Sequence, residues 1–176
     1  MMNSQTPAAL PSSSRTWAWV LLVIVAALAL SPFLSDRQQP NEPANRVKCS
    51  SNLRQLLASI EQYYTTNRAW PMDLAAILEG DIGSECLVCP SSDGERAGYQ
   101  SQSLAEQIES IRAHPSKHLS YGYIKPTTAT PPPDDVLIFD LPGNHGSDGG
   151  HALLTDGRVV WMQPAELQAL VQRQVP

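Results

Sequence analysis

The sequence predicts an α+β protein: an N-terminal membrane helix, then a long amphipathic helix packed on a small antiparallel β-sheet. Three observations lead there. Residues 17–34, WAWVLLVIVAALALSPFL, carry no charged group. From about Ala44 to Thr66 the apolar residues Val47, Leu53, Leu56, Leu57, Ile60 and Tyr64 recur at helical spacing, with Arg54, Gln55, Glu61 and Gln62 between them. In the C-terminal half, short alternating runs are separated by Gly, Pro and Asp, as in strands joined by turns.

Residues 1–16 are polar and rich in Ser and Pro, and are read as a disordered leader. Residues 17–34 are read as a transmembrane anchor. Their uninterrupted apolar run of about 14 residues is short of the roughly 20 of an ordinary spanning helix, but Phe33 and Leu34 extend it. Ala27-Leu28-Ala29 has the small-x-small pattern of a signal-peptide cleavage site, so a cleaved signal is the alternative. Residues 35–45 form a tether in which Pro40 and Pro43 interrupt any helix running on from the membrane. Residues 46–176 form the folded domain. Three cysteines suit an oxidising compartment, which places the domain in the periplasm on a single-pass protein of the bacterial inner membrane, although Arg37, Arg46 and Lys48 follow the anchor.

Within the domain, WPMDLAAILEG reads as a second short helix stopped by Gly80, and CLVCP as an extended segment ended by Pro90. Ser103 lies three residues before Glu106, a capping box that opens a peripheral helix bearing Leu104, Ile108 and Ile111. LSYGYI, VLIFD, HALLT and RVVWM are the strands, the last two joined in a hairpin at Asp156-Gly157. A terminal helix begins at Pro164, with Leu167, Leu170 and Val171 on its packed side. With 12 Lys+Arg against 17 Asp+Glu and no basic run, nucleic-acid binding is excluded.

The chemistry-bearing residues concentrate in LPGNHGSDGGHALLTDGRVVWM. Asp140, His145, Asp148 and His151 are a candidate metal set: zinc takes imidazole and carboxylate, calcium the oxygens alone. The competing reading makes Asn144, Gly146, Gly149 and Gly150 a positive-φ loop that the histidines hydrogen-bond, and it is preferred because no strict ligand spacing appears. Cys86-x-x-Cys89 lies in an extended segment rather than at a helix N-terminus, which argues against a redox pair. Three cysteines with a histidine are also a zinc donor set. Trp70, Tyr121, Tyr123 and Trp161 read as core aromatics. No Gly-x-Ser-x-Gly elbow or other nucleophile–base arrangement is present, so the chain reads as non-enzymatic with no cofactor.

Four motifs in order, KCSSNLRQLLASIEQYYTTNRAWP, CLVCPSS, SYGY and NHGSDGGHALLTDGRVVWM, resemble the prepilin-type, type II secretion G-like proteins of the planctomycete and verrucomicrobial group. That resemblance implies a pilin-like fold and a membrane-anchored pseudopilin-like structural subunit of a type II secretion or pilus-like assembly. Its partners would be the membrane and other secretion-system subunits. It also implies a Cys49–Cys89 bridge with Cys86 left over, while Cys86 pairing with Cys49 or between chains stays open. Calcium is the ion such proteins hold near the C-terminal sheet. The sequence departs from the group at SSSRTWAWVLLVIV, which lacks the glycine and glutamate of prepilin processing. Ten residues separate His145 from Asp156-Gly157, rather than nine. The alternative is a tethered or secreted extracytoplasmic binding domain that reuses the fold, with its Pro- and Gly-rich loops recognising a ligand.

Overall fold

A computed structural model describes residues 41–98 and 103–175. The leader, the proposed anchor at 17–34 and most of the tether lie outside the described residues. Helix α1 (Glu42–Asn67) is followed by two 3₁₀ turns (Ala76–Glu79 and Ser84–Leu87), then α2 (Leu104–Ala113) and α3 (Pro115–His118). Strands β1 (Tyr121–Tyr123), β2 (Val136–Asp140), β3 (Gly150–Leu154) and β4 (Val159–Met162) come next, and α4 (Pro164–Gln174) ends the chain. The strands form an open antiparallel meander in the order β1-β2-β3-β4.

This corrects the expected architecture. Among the described residues no helix is long and apolar enough to cross a membrane, and these residues form an α+β arrangement of helices on a four-stranded open sheet in place of the expected pilin-like plan with its membrane helix. The membrane-anchored structural subunit and the single-pass inner-membrane location both rested on that helix, and neither is retained.

Helix α1 starts at Glu42, earlier than the period suggests, because Pro43 falls in its first turn, where a missing N–H costs nothing and φ is already helical. Its packed face is Cys49, Leu53, Leu56 and Ile60, all fully buried. Val47 is off that face and 71% exposed, and Tyr64 stacks on Trp70 with ring centroids 4.4 Å apart. Each buried Leu or Ile contributes roughly 1.5–3 kcal/mol from apolar area removed from water. The segment expected as a second helix is only a 3₁₀ turn, yet it supplies Leu74, Ile77 and Leu78 to the same core. CLVCP is also partly 3₁₀, and becomes extended only at Val88. The Ser103–Glu106 capping box forms as the sequence indicates, with Ile108 and Ile111 buried and Leu104 exposed.

The two sheet faces serve different helices, and a bulge in β2 sets which residue goes where. Val136 pairs with Leu154 and Ile138 with Leu153, so Leu137 is the extra residue. Val136, Ala152, Leu154 and Leu167 of α4 form a small second core, joined by Leu170 and Val171 as the spacing predicts. Leu137, Ile138 and Leu153 belong to the main core with α1. Past the bulge, alternation turns Asp140 toward α1 and Phe139 away from it, over Gly122, where a Cβ would lie 2.2 Å from the ring.

The β3–β4 hairpin closes at Asp156-Gly157: Gly157 takes φ 89° and Asp156 Oδ1 accepts from the Arg158 N–H at 3.0 Å. In the preceding loop the positive-φ residues are Gly143, Gly146 and Gly149; Asn144 and Gly150 take negative φ, unlike the expectation. Gly149 is the most constrained, since φ is 138° and a Cβ would sit 2.3 Å from the Met162 carbonyl oxygen. Gly149→Ala is therefore expected to destabilise the domain by about 1–3 kcal/mol through backbone clash and φ strain. Gly143→Ala, with nothing within 4 Å of its Cβ, should cost less; equal shifts in the urea midpoint would contradict this.

Candidate functional site

Period-2 alternation places Tyr121, Asp140, His151 and Trp161 on one sheet face, with Tyr121 opposite Asp140 and His151 opposite Trp161. This polar row runs across all four strands beneath the first turns of α1. The next row, Tyr123, Ile138, Leu153 and Val159, is the apolar floor under Leu53 and Leu56. Cys49 therefore lands on the polar row while the leucines one and two turns later land on the apolar one.

Asp140 is the hub. Its Oδ2 accepts from the His151 backbone N–H at 2.7 Å and from His151 Nδ1 at 2.9 Å, and lies 3.2 Å from His145 Nε2. Its Oδ1 accepts from the Cys49 thiol at 3.1 Å, and Cys49 Sγ is also 3.3 Å from Tyr121 Oη. His145 Nδ1 donates to Glu42 Oε1 at 2.6 Å, while Glu42 Oε2 accepts from Ser91 Oγ at 2.6 Å. His145 Nε2 lies 3.5 Å from Cys89 Sγ. The His145 side chain has no exposure and that of Asp140 only 1%.

Local structure explains how Cys89 reaches this point. After the second 3₁₀ turn, Val88 is extended and its carbonyl accepts from Asn52 Nδ2 of α1. Ser120 N–H donates to the Leu87 carbonyl, and Ser92 turns back on the Cys89 carbonyl through both its N–H and its Oγ. The loop carrying His145 is pinned by Asn144, whose Nδ2 donates to the Ser120 carbonyl at 2.6 Å. Above the cluster, Arg46 lies 4.1 Å from the Trp161 ring centroid and pairs with Glu42 and Asp148. Trp161 meets both His145 and His151 edge-on.

Of the expected metal set, Asp140, His145 and His151 converge; Asp148 stays at the rim, paired to Arg46. Cys49 joins them: Cys49, Asp140, His145 and His151 each offer a donor atom, all within 4.8 Å of one another. Thiol and imidazole donors are those of zinc and its neighbours, whereas calcium takes oxygens. The three cysteines are free, buried thiols, and Cys86 donates to Gln55 Oε1. Sequence reasoning missed Glu42, and it left Cys49 out of the set with Asp140, His145 and His151; the helical spacing Cys49–Leu53–Leu56–Ile60 was the available signal for Cys49.

Electrostatics make the cluster one coupled unit. Burial raises the Asp140 carboxyl, but hydrogen bonds from His145, His151 and Cys49 outweigh it and hold the group well below the usual carboxylate range. Burial likewise opposes ionisation of Glu42, and the bonds from Ser91, His145 and Arg46 bring it below its ordinary value. For His145 burial is again opposed and outweighed, here by Asp140 and Cys89, which push the imidazole up to about 10. Cys49 brings the Cys89 thiol down to about 6, against burial, with His145 assisting. Cys89, burial and the Asp140 carboxylate together push the Cys49 thiol up.

Beside the cluster, on the α4 side of the sheet, lies a cavity of about 590 Å³. Phe139, Leu141, Pro142, Leu167 and Val171 line it, with the bare backbones of Gly143, Gly146, Gly149 and Gly150. Ser147, Gln168 and Gln172 are its polar lining groups. Asp140 contributes to the cavity wall, but its carboxylate is turned into the cluster.

These shifts give the sign of the pH dependence in chelated, reduced protein. Asp140 and Glu42 are held low, so their stabilisation is present above their ordinary values of 3.8 and 4.5 and is lost as pH falls. His145 stabilises fully below 6.5 and loses this as pH rises through about 10, while Cys89 gains as pH rises from about 6 to 9. The two nearly cancel across the neutral range. Stability is expected to be level there, falling below pH 4.5 and again as pH approaches 10. Denaturant midpoints against pH check this, and Asp140→Asn should shrink the acid-side fall; an unchanged acid limb would contradict the role given to Asp140.

No family model, curated protein or solved structure matches this chain.

Proposed function

We propose that the chain is a non-enzymatic binding domain whose Pro- and Gly-rich loop 141–150, together with α4, holds a small, uncharged, largely apolar ligand. The observation that carries this reading is the cavity of about 590 Å³, within the roughly 300–1,000 Å³ of small-molecule sites. Its floor is aliphatic and aromatic. Its polar groups are neutral amides and one hydroxyl, which orient a ligand by hydrogen bonds without demanding charge. Among the described residues of its lining the only ionisable side chain is Asp140, whose oxygens are engaged elsewhere. An ionic ligand would be left without a counter-charge at a cost in desolvation.

Two features argue against catalysis. The polar cluster is closed, so its imidazoles and thiols are screened from a substrate in the cavity. Among the described residues that line the cavity, Ser147 carries the only hydroxyl side chain, and none is a histidine that could act as its base.

The test uses Nile red, a neutral apolar dye, with the full chain. Binding should be saturable at one site, with Kd weakened about tenfold or more, equivalent to about 1.4 kcal/mol, when Gln168→Trp fills the mouth from the exposed face of α4. Dye binding that is absent, or unchanged in Gln168→Trp, would overturn the proposal.

A further inference from the structure

We propose that Cys49, Cys89, Asp140 and His145 form a tetrahedral site for a divalent transition metal, zinc above all, with Glu42 and His151 as its outer supports. Neighbouring donor atoms already lie within a few tenths of an ångström of the spacing a bound ion needs. Zn–S distances of about 2.3 Å and Zn–N or Zn–O distances of about 2.0 Å imply tetrahedral edges of roughly 3.3–3.8 Å. The observed donor contacts are 3.1 Å from Cys49 Sγ to Asp140 Oδ1 and 3.5 Å from His145 Nε2 to Cys89 Sγ, and the other oxygen of Asp140, Oδ2, lies 3.2 Å from His145 Nε2.

The outer hydrogen bonds select this set over one that uses His151. His145 gives its Nδ1 proton to Glu42, which leaves Nε2 as the ligand atom and fixes the ring; this is the carboxylate–histidine–metal arrangement. His151 instead spends its Nδ1 and backbone N–H on Asp140 Oδ2. That aims Asp140 Oδ1 at the centre, where it now accepts from Cys49. Binding replaces the proton of the Cys49 thiol and the one shared between His145 Nε2 and Cys89; two protons leave as one divalent ion enters. A lone carboxylate cluster would not discriminate among cations, but two sulfurs and an imidazole favour zinc over magnesium or calcium.

The elements that supply the ligands are α1, the segment after the second 3₁₀ turn, β2 and the loop before β3. They are far apart in sequence, so the ion would fasten the helix to the sheet. With the ligands buried, no coordination position opens to solvent, which is the arrangement of a structural rather than a catalytic zinc. This proposal is independent of the ligand cavity.

The test is made on the full chain, reduced, stripped with chelator, and titrated with cobalt(II) and then zinc(II). One equivalent should bind, with sulfur-to-cobalt charge-transfer absorption. X-ray absorption of the zinc form should count two sulfur neighbours at about 2.3 Å. Cys89→Ser should halve the charge-transfer intensity. His151→Gln should keep that intensity and weaken affinity roughly 10–100-fold, as expected of an outer support. The sulfur count on the unmutated chain stands even if a variant fails to fold. The proposal is overturned by failure to bind stoichiometrically, by a shell with fewer than two sulfurs, or by a Cys49–Cys89 disulfide that re-forms under reductant and excludes the ion.

Discussion

The buried carboxylate of Asp140 is the interaction on which the rest of the domain depends. It sits at the end of β2 with 1% of its side chain exposed, and it survives there as an anion only because four donors converge on it. Those donors come from α1, from β3 and from the loop between β2 and β3. A buried anion so satisfied acts as a specificity device: any other placement of α1 on the sheet would strand it. The apolar contacts of Leu53, Leu56 and Ile60 drive the helix onto the sheet but are indifferent to a one-turn slide along it. The Cys49–Asp140 and Glu42–His145 bonds select one register.

That carboxylate points toward α1 because of one extra residue. If β2 paired with β3 without Leu137 as a bulge, the alternation of Val136 and Ile138 would continue unbroken, and Val136 would share a face with Ile138 and Asp140. The bulge instead lets Val136 serve the α4 core while Leu137, Ile138 and Asp140 serve α1. Five residues of one strand thereby supply two cores and the site hub, and the cross-strand rows on the α1 face become one polar and one apolar.

Much of this was legible in the sequence, and the reason it was legible is local. The Ser103–Glu106 box, Pro164 opening the last helix and Asp156-Gly157 closing the hairpin each express a rule that operates within a few residues. The alternating runs also placed the strands. What was not legible was long in range. Glu42 meets His145 across 103 residues and Cys49 meets Asp140 across 91, and no spacing rule connects them. The bulge was equally silent, since VLIFD reads as an unbroken apolar run. The helix face was misjudged at Val47 because hydrophobicity drew attention from Cys49, which is small but wholly buried.

The cavity and the polar cluster lie on opposite sides of the same short stretch of chain. Asp140 borders both, and a Cβ on Gly150 would stand 3.1 Å from the Asp140 Cβ, so the sheet at this point has only a carboxylate and a bare backbone between the two. The loop that walls the cavity is anchored where it leaves β2 by Asp140, in its middle by His145 and where it enters β3 by His151. Its three left-handed glycines give it turns but no side chains with which to hold itself in shape. The shape of the cavity is therefore imposed from the cluster side, by hydrogen bonds that a ligand in the cavity never touches. Whatever orders the cluster also orders the loop, and the recognition surface is preorganised by a network buried beneath it.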